Sequence, residues 1–492
     1  MANDDDQWLT SAGSAVELNT DLLAEVLREF RRANNINQAD LALMLHLDQS
    51  YVSKIETGQR QVRDVEMLLR IAQGLDIPPK RIGLSDEMLR PVAAPSDSTL
   101  VGDVDPVAAS QERWRRTRRA LNQSRGDLAR LAASLYRPDV RLGPLPFMAL
   151  PQWMPDAPIP LDEIKLSWAD QGTVTQSVTG GEPEGSATVP LRAPGKRFAR
   201  YTAAIRYLDP PALFENRTSY RLLDVDLRKD ISMMFGLGTY FDKLDLSEAV
   251  AHEMAIANAT AGYSSEPPGW DALPLRALIG DPFDLNRRPV MPAIETLTLR
   301  RNRASGEATF LLHWRDPAKV ATAGGIYGLI PAGEFQPSTI ATHNRDNDFS
   351  IWRNMIREYS EELLGEPERD GSSSEPLDYD NWDLYRKLQS ARRAGTVTPY
   401  CLGVGLDTLT LTATILTVTV VDDDVFDDLF GETVDFNEEG RLVSASDSSA
   451  VTDGIPFTEK SVRRLLDDEP MASPGKCILQ RAFDHRSTLL AQ

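Results

Sequence analysis

Residues 37–60, NQADLALMLHLDQSYVSKIETGQR, decide how the first part of the chain folds. Leu41, Ala42, Leu45 and Leu47 recur at helical spacing. A second helical pattern, Gln49-Ser50-Tyr51-Val52-Ser53-Lys54-Ile55-Glu56, comes directly after it and is closed by Thr57-Gly58. The break at His46-Leu47-Asp48 is short, and Asp48 is a natural N-cap for the second helix. Two short helices joined by a tight turn make a helix-turn-helix. The second helix carries small and polar side chains on the face away from Val52 and Ile55, which suits entry into a major groove.

Gln38, Leu41-Ala42, Ser50, Val52-Ser53, Ile55-Glu56 and Gly58, followed by Leu69, Ile71-Ala72, Leu75 and Ile77, carry a family resemblance. Through them residues 20–86 resemble the phage-repressor/Cro-type (XRE-type) helix-turn-helix domains. The resemblance implies a small all-α unit that binds double-stranded DNA as a homodimer, on half-sites about one helical turn apart or a multiple of it. Gln38, at the start of its helix, is expected to reach a phosphate. Gln49 and Ser50 are expected at base edges, with the Gln49 amide suited to adenine. Tyr51, Ser53, Lys54 and Arg60 complete the expected DNA-binding set, Lys54 through phosphate.

At 492 residues the chain is long enough for about three domains. The net charge of −20 does not exclude nucleic-acid binding, because only the docking face must attract phosphate. Two cysteines, Cys401 and Cys477, rule out a disulfide framework or a Cys-rich zinc site and fit a reducing cytoplasm. The acidic, polar start MANDDDQWLT is unlike a signal peptide. The most apolar run, residues 408–421, is interleaved with threonines and ends in Asp422-Asp423-Asp424, so it reads as buried strand and not as a membrane span.

Along the chain, residues 1–19 read as a disordered tail. Leu22, Leu23, Val26, Leu27 and Phe30 give the first helix of the 20–86 domain, and residues 64–74 another. Residues 87–110 read as a linker, and 111–200 as a connecting helix followed by an irregular Pro- and Gly-rich segment. The helix carries Arg113, Arg115, Arg116, Arg118 and Arg119; an acid-paired or solvated face is favoured there over a second phosphate contact. From 201 to 492 strands and helices alternate: a hairpin over 294–300 and 308–314, a strand over 323–330, a helix over 349–364, further strand over 400–421, and helices over 461–468 and 475–485. The expected fold class is therefore multidomain, an all-α unit followed by a larger α/β (α+β) unit with a mixed sheet.

Arg357-Glu358-Tyr359-Ser360-Glu361-Glu362-Leu363-Leu364-Gly365 is the second informative stretch. Trp352, Ile356, Tyr359 and Leu363 bury one helix face, and Glu358, Glu361 and Glu362 share another at i, i+3 and i+4. Hard carboxylate oxygens grouped in this way suit Mg²⁺ or Mn²⁺. The stretch is similar to the Nudix box, with Gly333-Glu334 in place of its glycine-containing turn. That likeness implies a Nudix-like unit over 201–492 with an N-terminal extension. It also implies metal held by Glu358, Glu361 and Glu362, with Gly333, Glu334 and Arg357 at a nucleotide-like ligand. Three departures are visible. The distance from Gly333 to Arg357 is long, Phe349 stands where the family has an acid, and Gly365 comes one residue late. Weak or absent hydrolysis is the expectation, because small displacements at a metal site lose much of the rate. The bland alternative is an amphipathic helix with an acidic outer face.

Other stretches point elsewhere. His252-Glu253 lacks the second histidine of a zincin, Cys401 reads as a buried hydrophobe, and Asp422-Asp423-Asp424 as a solvated strand end. The sequence is read as a cytoplasmic, DNA-binding regulator whose second unit binds a nucleotide-like ligand, helps to dimerise the protein, or both. The alternatives are an active metal-dependent Nudix hydrolase carrying a DNA-binding domain, and a regulator whose second unit binds only a protein.

Overall fold

The computed structural model describes residues 20–34, 36–45, 47, 49–57, 71–72, 74–75, 77, 81, 105–169, 178–211, 214–315, 326–339, 341–369, 375–431, 440–443 and 454–491. The expected tail 1–19, Asp48, Gly58, Arg60, Leu69 and most of the helix expected over 64–74 lie outside them. The chain divides into two compact units, 1–103 and 104–492. No helix among the described residues is long and apolar enough to cross a membrane.

In the first unit, α1 (Thr20–Ala33), α2 (Gln38–Leu45) and α3 (Gln49–Glu56) enclose a core of Leu23, Val26, Leu27, Leu41, Ala42, Val52, Ile55, Ile71, Ala72 and Leu75. α2 begins where it does because Asn37 caps it. The Asn37 Oδ1 accepts from the N–H groups of Ala39 at 2.8 Å and Asp40 at 2.9 Å, and the Asp40 carboxylate accepts from Asn37 N at 3.1 Å. This reciprocal cap satisfies donors the helix cannot satisfy itself.

In the second unit the expected linker ends early. Pro106 begins a helix, Pro106–Gln123, whose N-cap Asp105 accepts from Val107 N at 2.9 Å. Pro at the first helical position after Asp is a start signal in its own right. Residues 111–200 are also not set apart from the rest of the unit. Trp114, Val140, Phe147, Trp153 and Ile159 belong to the same core as Leu297, Val418 and Ile478.

That core lies on an eight-stranded mixed sheet built from β1 (Phe147–Met148), β2 (Ile159–Pro160), β3 (Ala293–Arg301), β4 (Ala308–Phe310), β5 (Ala332–Glu334), β6 (Val397–Asp407), β7 (Ala413–Asp422) and β8 (Ile455–Pro456). The order is β1-β6-β7-β3-β4-β8, with β2 added to β6 and β5 to β3. β6 and β7 form an antiparallel hairpin, whereas β7 runs parallel to β3. β7 is buried at every position, as expected of a central strand covered on both faces. The hairpin expected from 294 to 314 is present as β3 and β4, but Leu312–Arg315 leaves for a second sheet.

Candidate functional site

The candidate DNA surface is carried by α2 and α3. Gln49 is exposed at the start of α3 and Lys54 is exposed near its end; Tyr51 and Ser53 are half-buried, with Tyr51 packed against the core. Ser50 lies in the first turn of α3. Gln38 has a structural partner that local sequence reading missed. Its Nε2 donates to Glu56 Oε2 at 2.7 Å, while Arg31 Nε donates to Glu56 Oε1 at 2.9 Å. The buried Glu56 thus ties α1, α2 and α3 together. Burial raises the energy of its charged form, but Arg31 and Gln38 outweigh this and hold its carboxyl below the ordinary value. One amide hydrogen of Gln38 is taken by this bond; the other can still serve a phosphate.

The arginines expected at 113–119 resolve into acid-paired and exposed ones. Arg118 is buried between Asp209, at 3.0 Å, and Glu248, at 3.2 Å, and Arg119 reaches Glu112 at 3.0 Å. His252 is likewise structural. It is stacked on Trp114, it meets the Tyr201 hydroxyl at 2.9 Å, and burial pushes its pKa down to about 3. Asp422 is spoken for by Arg301 and Arg303.

The acidic helix, Ile351–Glu362, packs against β5. Here the absence of a side chain at Gly333 is required: a Cβ would lie 2.1 Å from the Glu358 carboxyl carbon. Arg357, almost wholly buried, donates from Nη2 to Gln336 O at 2.6 Å and to Asn354 Oδ1 at 2.9 Å. Asn354 in turn accepts from Gln336 N at 3.2 Å and donates to Glu358 Oε1 at 3.4 Å. Asn354 thus bridges Gln336, Arg357 and Glu358, a link that sequence reading missed, although Asn354 stands one turn before Arg357 and Glu358.

The three glutamates do not converge as a set. Glu362 turns to β5, where its Oε1 accepts from Ala332 N at 3.2 Å. Glu358 and Glu361 remain neighbours. Burial, then the charges of Glu358 and Glu368, push the Glu361 carboxyl up to about 9. Among the described residues no group of three or more His, Cys, Asp or Glu is arranged to hold a metal ion. The pair Glu358 and Glu361 offers two hard oxygen ligands on one side of the helix, a partial set that would leave the remaining positions to water or phosphate. Glu334 faces away into an ion pair with Lys243 at 2.5 Å.

Phe349 fills the position where an acid was sought, and packing explains it. Its ring stacks on Trp168 at 4.2 Å and meets Tyr220, Phe235 and Phe335. Asp348, one residue earlier, is buried, accepts from Ser338 N and Oγ at 2.7 Å, and accepts from the Tyr379 hydroxyl at 3.0 Å.

The first unit therefore carries a helix-turn-helix, and the comparisons with known proteins agree: residues 27–82 match the family model described as helix-turn-helix. Two solved structures are similar over this part. A restriction-modification controller protein from Aeromonas hydrophila is 38% identical, over 13% of this chain and 94% of its own, with a TM-score of 0.12. A hypothetical transcription factor from Neisseria is 27% identical, over 14% of this chain and 80% of its own, with a TM-score of 0.13. Among curated proteins none matches.

Proposed function

We propose that this protein is a sequence-specific transcriptional regulator that binds DNA as a homodimer and whose second unit, Nudix-like, senses a nucleotide-like ligand. The carrying observation is the helix-turn-helix over residues 27–82, with Gln49 and Lys54 exposed on α3. Gln49, Ser50, Ser53 and Lys54 would read and grip the site, with Gln38 at phosphate. The ligand reading is supported by the Gly333–Glu358 approach and the Asn354–Arg357 network. In that reading Arg357 and Gly333 frame the ligand, and Glu358 with Glu361 would hold Mg²⁺ or Mn²⁺, which would supply positive charge to a diphosphate. Glu362 and Glu334 would act from behind, through Ala332 and Lys243.

Genome-wide binding, followed by sedimentation on a recovered operator, tests the DNA reading. Reproducible sites and two protomers per operator are expected; one protomer, or no enriched sequence, would refute it. Offering Mg²⁺ or Mn²⁺ with nucleoside-diphosphate sugars and dinucleotides tests the second unit. Thermal stabilisation without phosphate release is expected of a sensor. Rapid turnover lost in Glu361→Gln would establish the hydrolase instead.

A further inference from the structure

A small, partly open cleft lies between the long helix Tyr240–Thr260, the loop before β3 and the turn joining β6 to β7. Lys243, Ser247, Arg288, Thr410 and Thr412 supply its polar lining. The charge balance there is lopsided. Arg288 is only 2% exposed, yet among the described residues its guanidinium donates just once, from Nη2 to Pro282 O at 2.9 Å, and its Nε finds no acceptor. No carboxylate pairs with it among the described residues. Burial lowers its pKa to about 10; the nearby Arg276 and Arg221 push the same way, while Tyr136 and Asp281 oppose them. Those two arginines are buried as well and donate to backbone carbonyls, Arg276 to Thr408 O at 2.9 Å and Arg221 to Arg288 O at 3.0 Å. Ser247, also buried, makes no hydrogen bond through its hydroxyl among the described residues. Among the described residues Lys243 is balanced only by Glu334.

We infer that this cleft binds a phosphate group, either the free ion or the end of a small phosphate ester. A buried guanidinium without an anion is costly, and such a charge is normally paired or removed. Here Arg288 lines a cleft together with Lys243, Ser247, Thr410 and Thr412, residues carried by three separate elements. Donors arriving from several directions suit a tetrahedral anion with three or more acceptor oxygens better than a planar carboxylate, which a single guanidinium fork satisfies. A bound phosphate would share Lys243 with Glu334, whose neighbour Gly333 abuts Glu358. Occupancy is thereby linked to the acidic helix, but the inference needs neither a divalent cation nor the Nudix reading.

The test uses the full chain in EDTA. Equilibrium dialysis with radiolabelled inorganic phosphate should show saturable binding of one ion per chain. Thermal unfolding should shift upward by about 2–5 °C at saturation, relative to chloride at matched ionic strength. Lys243→Gln and Ser247→Ala should each weaken the binding severalfold or more. Arg288→Met should abolish it without lowering stability in chloride. If Arg288→Met does not fold, the other two variants decide. Competition by glycerol phosphate would show a site open to an ester, and its absence a site for the free ion; either result upholds the cleft. No saturable binding would overturn the inference. So would a stabilisation that all variants share, since that is the general effect of an excluded salt.

Discussion

Glu56 in the first unit and Glu361 in the second are both carboxylates on helices, and their surroundings treat them in opposite ways. Glu56 is met by Arg31 Nε at 2.9 Å, Arg31 Nη2 at 3.2 Å and Gln38 Nε2 at 2.7 Å, and its pKa falls. Glu361 shares its site with Glu358 and Glu368, and its pKa rises to about 9. A charge fully met by fixed partners belongs to the scaffold. A carboxyl held neutral beside another carboxylate is what a site has when a cation or a proton would complete it.

The strongest way to break this comparison is Glu56→Ala. It would remove the three hydrogen bonds through which a buried carboxylate joins α1, α2 and α3, so the first unit should lose about 3 kcal/mol of stability. Unfolding of the full chain followed by a probe in the first unit measures this, and an unchanged midpoint would make Glu56 a bystander. The sign with pH comes from the lowered pKa. The folded carboxylate releases its proton more readily than the unfolded one, so its support is complete above 4.5 and is lost as pH falls through the lower folded value.

Gln49→Ala should leave the fold intact, since the side chain is exposed. It should cost about 1–3 kcal/mol on the preferred DNA site and relax the sequence preference there. A competition assay with a randomised half-site reads both effects; equal affinity and equal selectivity would move base reading elsewhere on α3. Asn37→Ala tests the scaffold again, through the cap of α2, and should cost about 1 kcal/mol of stability in the first unit.

The two units also differ in how much of them the sequence disclosed. α1 to α3 were legible because their apolar spacing is local, and each helix announces itself within a few residues. The Gln38–Glu56 bond was not, because it joins residues 18 apart whose meeting depends on how three helices pack. In the second unit β3, β4 and the acidic helix were legible from alternation and from helical spacing. The helical pattern opening 111–200 was legible too, and it is present as Pro106–Gln123 and Arg125–Ala133, but the segment after it was not. Prolines and glycines there read as an irregular connection, while Trp114 Nε1 donating to Thr188 O at 2.9 Å is a contact no periodicity predicts. The glutamate spacing correctly gave a shared helix, but it could not show that β5 would claim Glu362.

Glu361→Gln carries the smallest expected effect and the opposite sign. Between 4.5 and about 9 the folded carboxyl keeps a proton that the unfolded chain releases, so wild-type stability falls as pH rises across that window. Glutamine imitates the protonated acid without that cost. At pH 7 it should therefore stabilise the second unit, by under about 1 kcal/mol once the water that reaches the group is allowed for, and the gain should grow towards pH 9. Added Mn²⁺ should invert the order. A dication beside Glu358 displaces the Glu361 proton, so wild type should gain stability, more steeply at higher pH, while Glu361→Gln gains little. Parallel unfolding curves for the two proteins at pH 6, 7 and 9, with and without Mn²⁺, settle it. Coincident pH profiles and no difference in the Mn²⁺ response would return this helix to the same class as Glu56, a charged face with a purely structural part.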